Sequence, residues 1–492
     1  MKLYLEGHNF DYASQQIYMC LFPNSHAEIV EERPKNGDFS VIKLSFSENR
    51  VLSRTEIYLD GKESFSECEF SFSPIDEEDR KRACRRGIKT SFYNAALPFL
   101  PKTPAWGALT GIRPSKVAAN FLREGMDEKL SAEMMEKEYF VSKERAELAV
   151  SCAVRAEKLL KSAKKRDMSL YVGIPFCVSR CRYCSFVSHS IEKARHLVSP
   201  YLHMLEREIK MLGDSAKEAG LLLKSIYIGG GTPTSLENDE LAFVMKCISD
   251  NFDIKNVGEY TVEGGRPDTL TMDKIRTIRE GGATRISVNP QTMNDEILKA
   301  MDRRHTAQDV VQAIGAARAV GGLVINTDLI AGLPGDSFDS FQNSVDRMTE
   351  LSPENITVHT LAIKKGSELH REKYILPDGK ATEEMVEYAM HALYGSGYVP
   401  YYLYRQKYMS GNLENVGYSK PGYESDYNNY IMDELHTILS AGAGGVTKLI
   451  DRENGRIERI FNPKYPYEYN NATEKIAETQ KSVVDFFAEW EA

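Results

Sequence analysis

Between Ser169 and about Gly397 one pattern repeats along the chain. Short runs of β-branched and apolar residues alternate with longer stretches whose apolar positions recur every three to four residues. The short runs predict strands over Ser169–Ile174, Ser225–Gly229, Glu259–Glu263, Thr284–Val288, Val324–Ile330 and Ile356–Ala362. The longer stretches predict helices. Ser199-Pro200 reads as an N-cap and first helical residue, with Leu202, Leu205, Ile209 and Leu212 on one face. Val310, Val311, Ile314 and Ala317 form a second stripe, stopped by Gly321-Gly322. Phe338, Phe341, Val345 and Met348 form a third after Ser337. Strands separated by helices argue for parallel βαβ units, and six in succession predict an α/β fold, a partial or open (β/α)6 barrel. In such a fold the chemistry lies at the carboxyl ends of the strands.

The flanks read differently. Residues 1–72 alternate apolar and polar positions, as in VIKLSFS and CEFSFS, which is an antiparallel β signal. Residues 76–160 are mostly helical in pattern, and Pro114 after GIR marks the entry to a helix. Near the other end, VTKLID and RIERIF on either side of Glu-Asn-Gly predict a hairpin, and an amphipathic helix follows over about 472–491. The expected organisation is an N-terminal α+β accessory domain (1–165), the barrel (166–397) and a C-terminal α+β extension over the substrate (398–492). No internal repeat beyond the βα units and no low-complexity segment is present.

Composition narrows the class. With 42% hydrophobic and 27% charged residues in 492, this is an ordinary globular composition with ample material for a core. The net charge of −9 argues against general nucleic-acid binding. The basic runs at 79–89 and 158–166 read as solvated helix faces. MKLYLEGHNF has no apolar signal-peptide core, and no window reaches the length of a membrane span. Cys20, Cys68, Cys84, Cys152 and Cys247 are scattered singly, as in a reducing cytoplasm, and read as small buried apolar residues.

The remaining three cysteines are grouped. Cys177, Cys181 and Cys184 stand as Cys-x3-Cys-x2-Cys in LYVGIPFCVSRCRYCSF, directly after the first predicted barrel strand. Soft thiolates this close suit three irons of a [4Fe–4S] cube, leaving the fourth iron open to a small molecule. A structural zinc with His189 as fourth ligand is the alternative. Gly229-Gly230-Gly231-Thr232-Pro233-Thr234 closes the second strand and lets a ligand approach the backbone. It lacks the Gly-Lys-Ser/Thr of a P-loop. Polar residues recur at the later strand ends: Glu263, Gln291 and Asp328, with Arg303 from the helical segment after Gln291. A charge inside an apolar strand, as at Asp328, needs a partner, either another side chain or a ligand.

Cysteine triple, glycine run and strand pattern together resemble the radical S-adenosylmethionine superfamily. From about 168 to 450 the chain is similar to its oxygen-independent coproporphyrinogen III oxidases. YVGIPFC, GGGTPT, the Glu263 strand, RISVNPQTMNDEILKAMDRRHT and INTDLIAGLP carry the likeness. The N-terminal region and TGIRP resemble the longer, coproporphyrinogen dehydrogenase branch. The resemblance implies that Cys177, Cys181 and Cys184 ligate the cluster. It implies that S-adenosylmethionine chelates the open iron beside Gly230, Gly231 and Thr232. Tyr171, Glu263, Gln291, Arg303, Asp328 and Ala362 match positions that contact one or two molecules of it. Tyr183 would pack on cluster and cofactor, or simply in the core.

The activity implied is conversion of two propionates of coproporphyrinogen III to vinyl groups, giving protoporphyrinogen IX in anaerobic haem biosynthesis. A flavodoxin or ferredoxin would donate the electron. A substrate with four carboxylates calls for cations and an apolar floor. Arg405, Lys407 and Lys420, with Tyr401, Tyr402, Tyr404 and Tyr408, are the candidates, unless that stretch is an exposed aromatic-rich hairpin. The chain departs from the family pattern at Gly173, where many members have His, at Phe186, where some have a further Cys, and in Gly264-Gly265-Arg266-Pro267, one residue longer than the common form. Two other readings use the same scaffold. One is a haem-binding chaperone, whose His-Asn-x-x-Tyr-Trp is here Tyr427-Asn428-Asn429-Tyr430-Ile431-Met432. The other is a radical methyltransferase or ring-opening enzyme acting on haem.

Overall fold

The computed structural model describes residues 1–22, 25, 27–376, 379–406 and 409–488. It divides into two compact units, residues 1–153 with 411–413, and residues 154–410 with 414–492. In the first unit β1 (Lys2–Glu6), α1 (Asp11–Leu21), β2 (Glu28–Val30), β3 (Phe39–Ser47), β4 (Arg50–Leu59) and β5 (Lys62–Ser71) precede α2 (Glu77–Ala96), α3 (Pro114–Arg123), α4 (Glu128–Tyr139) and α5 (Lys143–Ser162), which runs on into the second unit. The strands form one sheet in the order β2-β1-β3-β4-β5. β3, β4 and β5 are antiparallel, as their alternation predicts, but β1 lies parallel to both β2 and β3. The helix α1 makes that crossover. Its buried Ala13, Ile17 and Leu21 recur every four residues, a helical period inside a stretch that reads as β overall.

The second unit holds the barrel-like sheet. In chain order come β6 (Asp167–Ile174), β7 (Phe176–Cys177), β8 (His189–Ser190), α6 (Arg195–Glu218), β9 (Leu222–Gly230), α7 (Asn238–Asn251), β10 (Glu259–Glu263), α8 (Met272–Glu280), β11 (Arg285–Ser287), α9 (Asp295–Ala300), α10 (Ala307–Val320), β12 (Val324–Ala331), α11 (Phe338–Leu351) and β13 (Asn355–Thr360). After α12 (Glu368–Arg371) and α13 (Gly379–Gly395) follow β14 (Val399–Arg405), β15 (Glu414–Ser419), α14 (Asp426–Asp433), β16 (Thr437–Ala441), β17 (Val446–Asp451), β18 (Arg456–Phe461), α15 (Pro466–Tyr469) and α16 (Thr473–Ala488). The expected end of the last helix, near Glu491, lies outside the described residues.

The six expected strands β6, β9, β10, β11, β12 and β13 are neighbours in that order, all parallel. They are the centre of an open eleven-stranded sheet. β15 and β14 extend it antiparallel beyond β13, while β16 joins β6 in parallel and carries the β17–β18 hairpin outward. Helix caps follow the sequence: Ser337 caps α11, and Thr306 with Asp309 forms a capping box on α10, which ends at Gly321 with φ of 76°. Pro200 is a correction. The helix starts five residues earlier, at Arg195, and Pro200 sits inside it on the exposed side, where water can serve the carbonyl that loses its donor. Among the described residues no helix is long and apolar enough to cross a membrane.

Alternation along these strands separates two faces. One carries Leu170, Val172, Ile226, Ile228, Val262, Ile286, Leu329 and Val358, all buried. The other carries Tyr171, Tyr227, Thr261, Glu263, Ser287, Asp328 and Thr357, brought side by side by the register. A parallel sheet buried on both sides reads as continuously apolar. A polar inner face therefore marks a lined chamber. Its amino end is closed by the segment entering α14: Glu259 accepts from Ser425 Oγ (2.7 Å) and the Asp426 amide (2.8 Å), and Arg285 donates to the carbonyls of Tyr423 and Glu424.

Candidate active site

The cysteine loop leaves the carboxyl end of β6 and is pinned at both ends, because β7 pairs with β8 through Phe176 with His189 and Cys177 with Ser190. A turn joins the Cys184 amide to the Cys181 carbonyl at 3.0 Å. Cys177 and Cys181 are buried, whereas Cys184 is partly exposed. Two of the three sulfurs have polar side chains beside them. Thr232 Oγ1 donates to Cys177 Sγ (3.4 Å), and Arg303 and Arg266 approach Cys181 Sγ at 3.7 and 4.0 Å. Burial pushes the Cys177 thiol up and the Cys184 thiol to about 12, with the charge of Cys181 adding in both cases. Thiolates so disfavoured on their own are stabilised by a bound cationic centre. Among the described residues no three His, Cys, Asp or Glu side chains are grouped as ligands of a single ion. His189, the zinc alternative, turns its ring edge-on to Tyr465.

The glycine run lies against this loop. The Gly231 amide bonds the Ile174 carbonyl (2.8 Å) and the Thr232 amide the Phe176 carbonyl (2.7 Å). A Cβ on Gly231 would come within 2.6 Å of the Phe176 oxygen and 2.9 Å of Cys177 Sγ, and Gly230 has φ of 115°. A Cβ on Gly229 would meet Glu263 Oε2 at 2.7 Å. The backbone is thus bare beside the sulfurs, as a closely held ligand requires.

Glu263 ends β10 on the inner face. Burial and the nearby charge of Asp328 push its carboxyl up to about 8, against the pull of the Gly230 amide. Among the described residues the Asp328 carboxylate has one ion-pair partner, His359, whose Nε2 stands 3.9 Å away. Gln291 pairs its backbone across to Leu329 and is held at φ of 69°, a conformation unusual outside glycine. Its Oε1, with Ser287 Oγ, Asn289 Oδ1 and Arg303 Nε, is buried without a hydrogen-bond partner among the described residues. Three of these atoms lie at or just beyond the end of β11 and the fourth is on Arg303 after α9; such a group is the mark of a polar ligand's place. Arg303 acts as a strut. It donates to Tyr183 Oη (3.0 Å) and to the carbonyls of Gly265 (3.0 Å) and Asn289 (2.6 Å), tying the cysteine loop to the ends of β10 and β11. Tyr183 itself packs against the cluster of Ile297, Met301, Ile330, Leu333, Leu361 and Leu369. Ala362 lies just beyond β13, bridged to Met409.

The chamber wall is aromatic. Tyr171 stacks on Tyr227 (6.2 Å), and Tyr227 on Tyr427 from α14 (4.6 Å). Tyr401 and Tyr402 are buried, and Tyr402 stacks on Tyr404, so this stretch is a packed strand and not an exposed hairpin. Arg405 is buried at the end of β14. Lys420 is placed elsewhere. Its Nζ donates to the Ser352 carbonyl (2.7 Å) by the amino end of β13, away from the sulfurs. Lys407 and Tyr408 lie outside the described residues. Sequence reasoning missed Arg266, Tyr227 and Tyr427. Arg266 sits in the Gly-Gly-Arg-Pro run, and Tyr227 two residues before Gly229, on the same face; Tyr427 stands out only as the first residue of the segment set against the chaperone motif, which does not mark it as chamber wall.

Residues 171–348 match the radical SAM superfamily model. Over 409 residues, 82% of this chain and 82% of the relative, the sequence is 39% identical to the oxygen-independent coproporphyrinogen-III oxidase-like protein HemZ of Bacillus subtilis (strain 168). The chain belongs to the radical SAM superfamily, among the coproporphyrinogen III oxidase-like proteins. This superfamily works with a [4Fe–4S] cluster and S-adenosylmethionine. Over 285 residues, 56% of this chain and 70% of the relative, the sequence is also 32% identical to the heme chaperone HemW of the same organism. In fold it resembles the solved coproporphyrinogen III oxidase HemN of Escherichia coli, with a TM-score of 0.51, 22% identity, and coverage of 66% of this chain and 72% of that one. The bare glycine backbone, the grouped thiols and the unpartnered polar atoms of this radical SAM chain fit both cofactors.

Proposed function

We propose that this chain converts propionate side chains of coproporphyrinogen III to vinyl groups by oxidative decarboxylation. Each propionate would lose a hydrogen atom to the nucleoside that S-adenosylmethionine supplies, carbon dioxide, and one electron to an external one-electron acceptor. The observation that carries the reading is the cysteine loop set over a tyrosine-walled chamber with two carboxylates at its rim. In this reading Cys177, Cys181 and Cys184 hold three irons. Gly230, Gly231 and Thr232 run beside the methionine part of S-adenosylmethionine, and Glu263 accepts from its ammonium. Tyr171, Gln291, Arg303, Asp328 and Ala362 complete the contacts, and Tyr183 braces Arg303. When bound, cluster and S-adenosylmethionine supply hydrogen-atom abstraction. The chain's residues position the macrocycle and keep water out. The tyrosines offer flat apolar surface to pyrrole rings, and Arg405 a cation to a propionate. Residues 398–492 then cover the substrate, and residues 1–165 are an accessory domain.

The chaperone reading is weaker here. Tyr427 stands where those relatives carry His, and it is buried against Tyr227 inside the chamber. The test is anaerobic incubation of iron-reconstituted protein with S-adenosylmethionine, dithionite and coproporphyrinogen III, beside Cys177→Ala. Products lighter by one and two carboxyl groups, with 5′-deoxyadenosine, are expected from the wild type alone. Stoichiometric haem binding without products would favour the chaperone, and methylated or ring-opened products the third reading.

A further inference from the structure

The corner of the cysteine loop nearest solvent is Cys184, the partly exposed member of the three. Its surroundings are unusual for a surface. Phe186, two residues on, is 68% exposed. Arg180, Lys364 and Lys365 are exposed as well. Arg180 and Lys364 stand close enough to Cys184 to interact with it electrostatically. The two segments are joined, since Arg180 Nη2 donates to the Gly366 carbonyl (2.7 Å) and Gly366 packs beside the Ser185 carbonyl. They present one continuous surface within the second unit.

The charges on this surface are not consumed locally. Neither lysine has an acidic partner among the described residues. Of the carboxylates on adjoining segments, Glu368 and Glu372 pair with Arg182 and Glu192 with Arg304, while Asp295 and Asp302 line a cleft together with Arg180. An exposed aromatic on the same surface as exposed cations is typical of a binding patch. The cluster beneath needs an electron from outside, and the cationic rim selects a carrier with an acidic face.

We infer that Arg180, Phe186, Lys364 and Lys365 form the docking surface for an acidic one-electron carrier protein of the flavodoxin or ferredoxin type, which delivers its electron at Cys184. This rests on the assignment of the three cysteines to the cluster, and not on the identity of the porphyrin. The reduced carrier loses one electron and the oxidised cluster gains it; no bond is made or broken. Phe186 supplies the apolar contact, and the cations steer the encounter.

Stopped-flow reduction of the reconstituted full chain tests this, following loss of cluster absorbance with two reductants, a reduced bacterial flavodoxin and dithionite. Raising salt should slow flavodoxin-driven reduction of the wild type steeply, by about tenfold between low and high ionic strength. The double variant Lys364→Glu, Lys365→Glu should lose about tenfold or more with flavodoxin at low salt, and Phe186→Ser somewhat less. Both should keep the wild-type rate with dithionite. Equal flavodoxin rates in wild type and variants, salt-independent flavodoxin rates, or parallel slowing with both reductants would each overturn the inference. A chain in which dithionite bleaches nothing would instead show that the cluster assignment itself had failed.

Discussion

Glu263 carries the clearest pH signature in the chamber. Its carboxyl is pushed up to about 8 because it is surrounded by protein and faces Asp328, so much of it is protonated at neutral pH. A bound ammonium would favour the ionised form. Binding of S-adenosylmethionine is then expected to release a proton and to tighten as pH rises towards 8, by up to about tenfold per unit, and to level off above it. Titration calorimetry on the anaerobic reconstituted protein between pH 6.5 and 9 checks this, and Glu263→Gln should flatten the slope while weakening binding about tenfold. A wild-type affinity that does not change over this range would remove Glu263 from the ammonium's place. Residues of this kind were legible in the sequence because a carboxylate or amide at a strand end breaks the apolar pattern. Tyr227 and Tyr427 were not, since an aromatic in a strand or helix reads as core until their stacking across 200 residues of chain is seen.

Elements were legible where period and punctuation agreed. All six barrel strands fall within a few residues of expectation, because their alternation is set by one apolar and one polar face. What the pattern could not say was which strands pair. β14 and β15 on one side, and β16 to β18 on the other, joined the same sheet by contacts that no local signal encodes. The glycine run was legible as bare backbone, but only the fold shows what it approaches. Gly231→Ala would push a methyl to within 2.6 Å of the Phe176 carbonyl and 2.9 Å of Cys177 Sγ. Neither neighbour is a flexible side-chain end, so the cysteine loop must shift, at a cost of about 1–3 kcal/mol. Iron bound per chain after reconstitution should fall by more than half. Gly315 in α10 is the control: a Cβ there meets nothing within 4 Å, and Gly315→Ala should stabilise by up to about 1 kcal/mol with full iron loading. Equal iron in both variants would mean that the glycine run does not constrain the loop.

At the scale of the second unit, one buried carboxylate holds distant pieces of chain together. Glu208, in α6, is fully buried and accepts from the Gly442 amide (2.7 Å), Asn462 Nδ2 (2.7 Å) and the Tyr469 hydroxyl of α15. Two α6 turns earlier, the Tyr201 hydroxyl donates to the Gly173 carbonyl (2.7 Å) and accepts from the Ala443 amide (2.9 Å). Gly442 lies so close that a Cβ would sit 2.5 Å from the Gly173 oxygen. Gly173 is four residues before Cys177, so the C-terminal segments are fastened to the strand that launches the cysteine loop. Burial outweighs the three donors and pushes Glu208 up to about 7. Its protonated form is the one favoured by folding. Its contribution to stability is therefore full below the ordinary carboxylate range and is lost as pH rises to about 7, an effect on the order of 3 kcal/mol. Denaturant unfolding of wild type and Glu208→Gln at pH 5, 6, 7 and 8 isolates this group, because glutamine does not titrate. The stability difference should move in favour of Gln up to about pH 7 and then hold constant. Glu208→Ala, which strands three buried donors, should cost about 3–5 kcal/mol and also lower iron retention, through Tyr201 and Gly173. A wild-type to Gln difference that stays flat with pH would show that Glu208 is already ionised in the fold, held by its donors against the cost of burial.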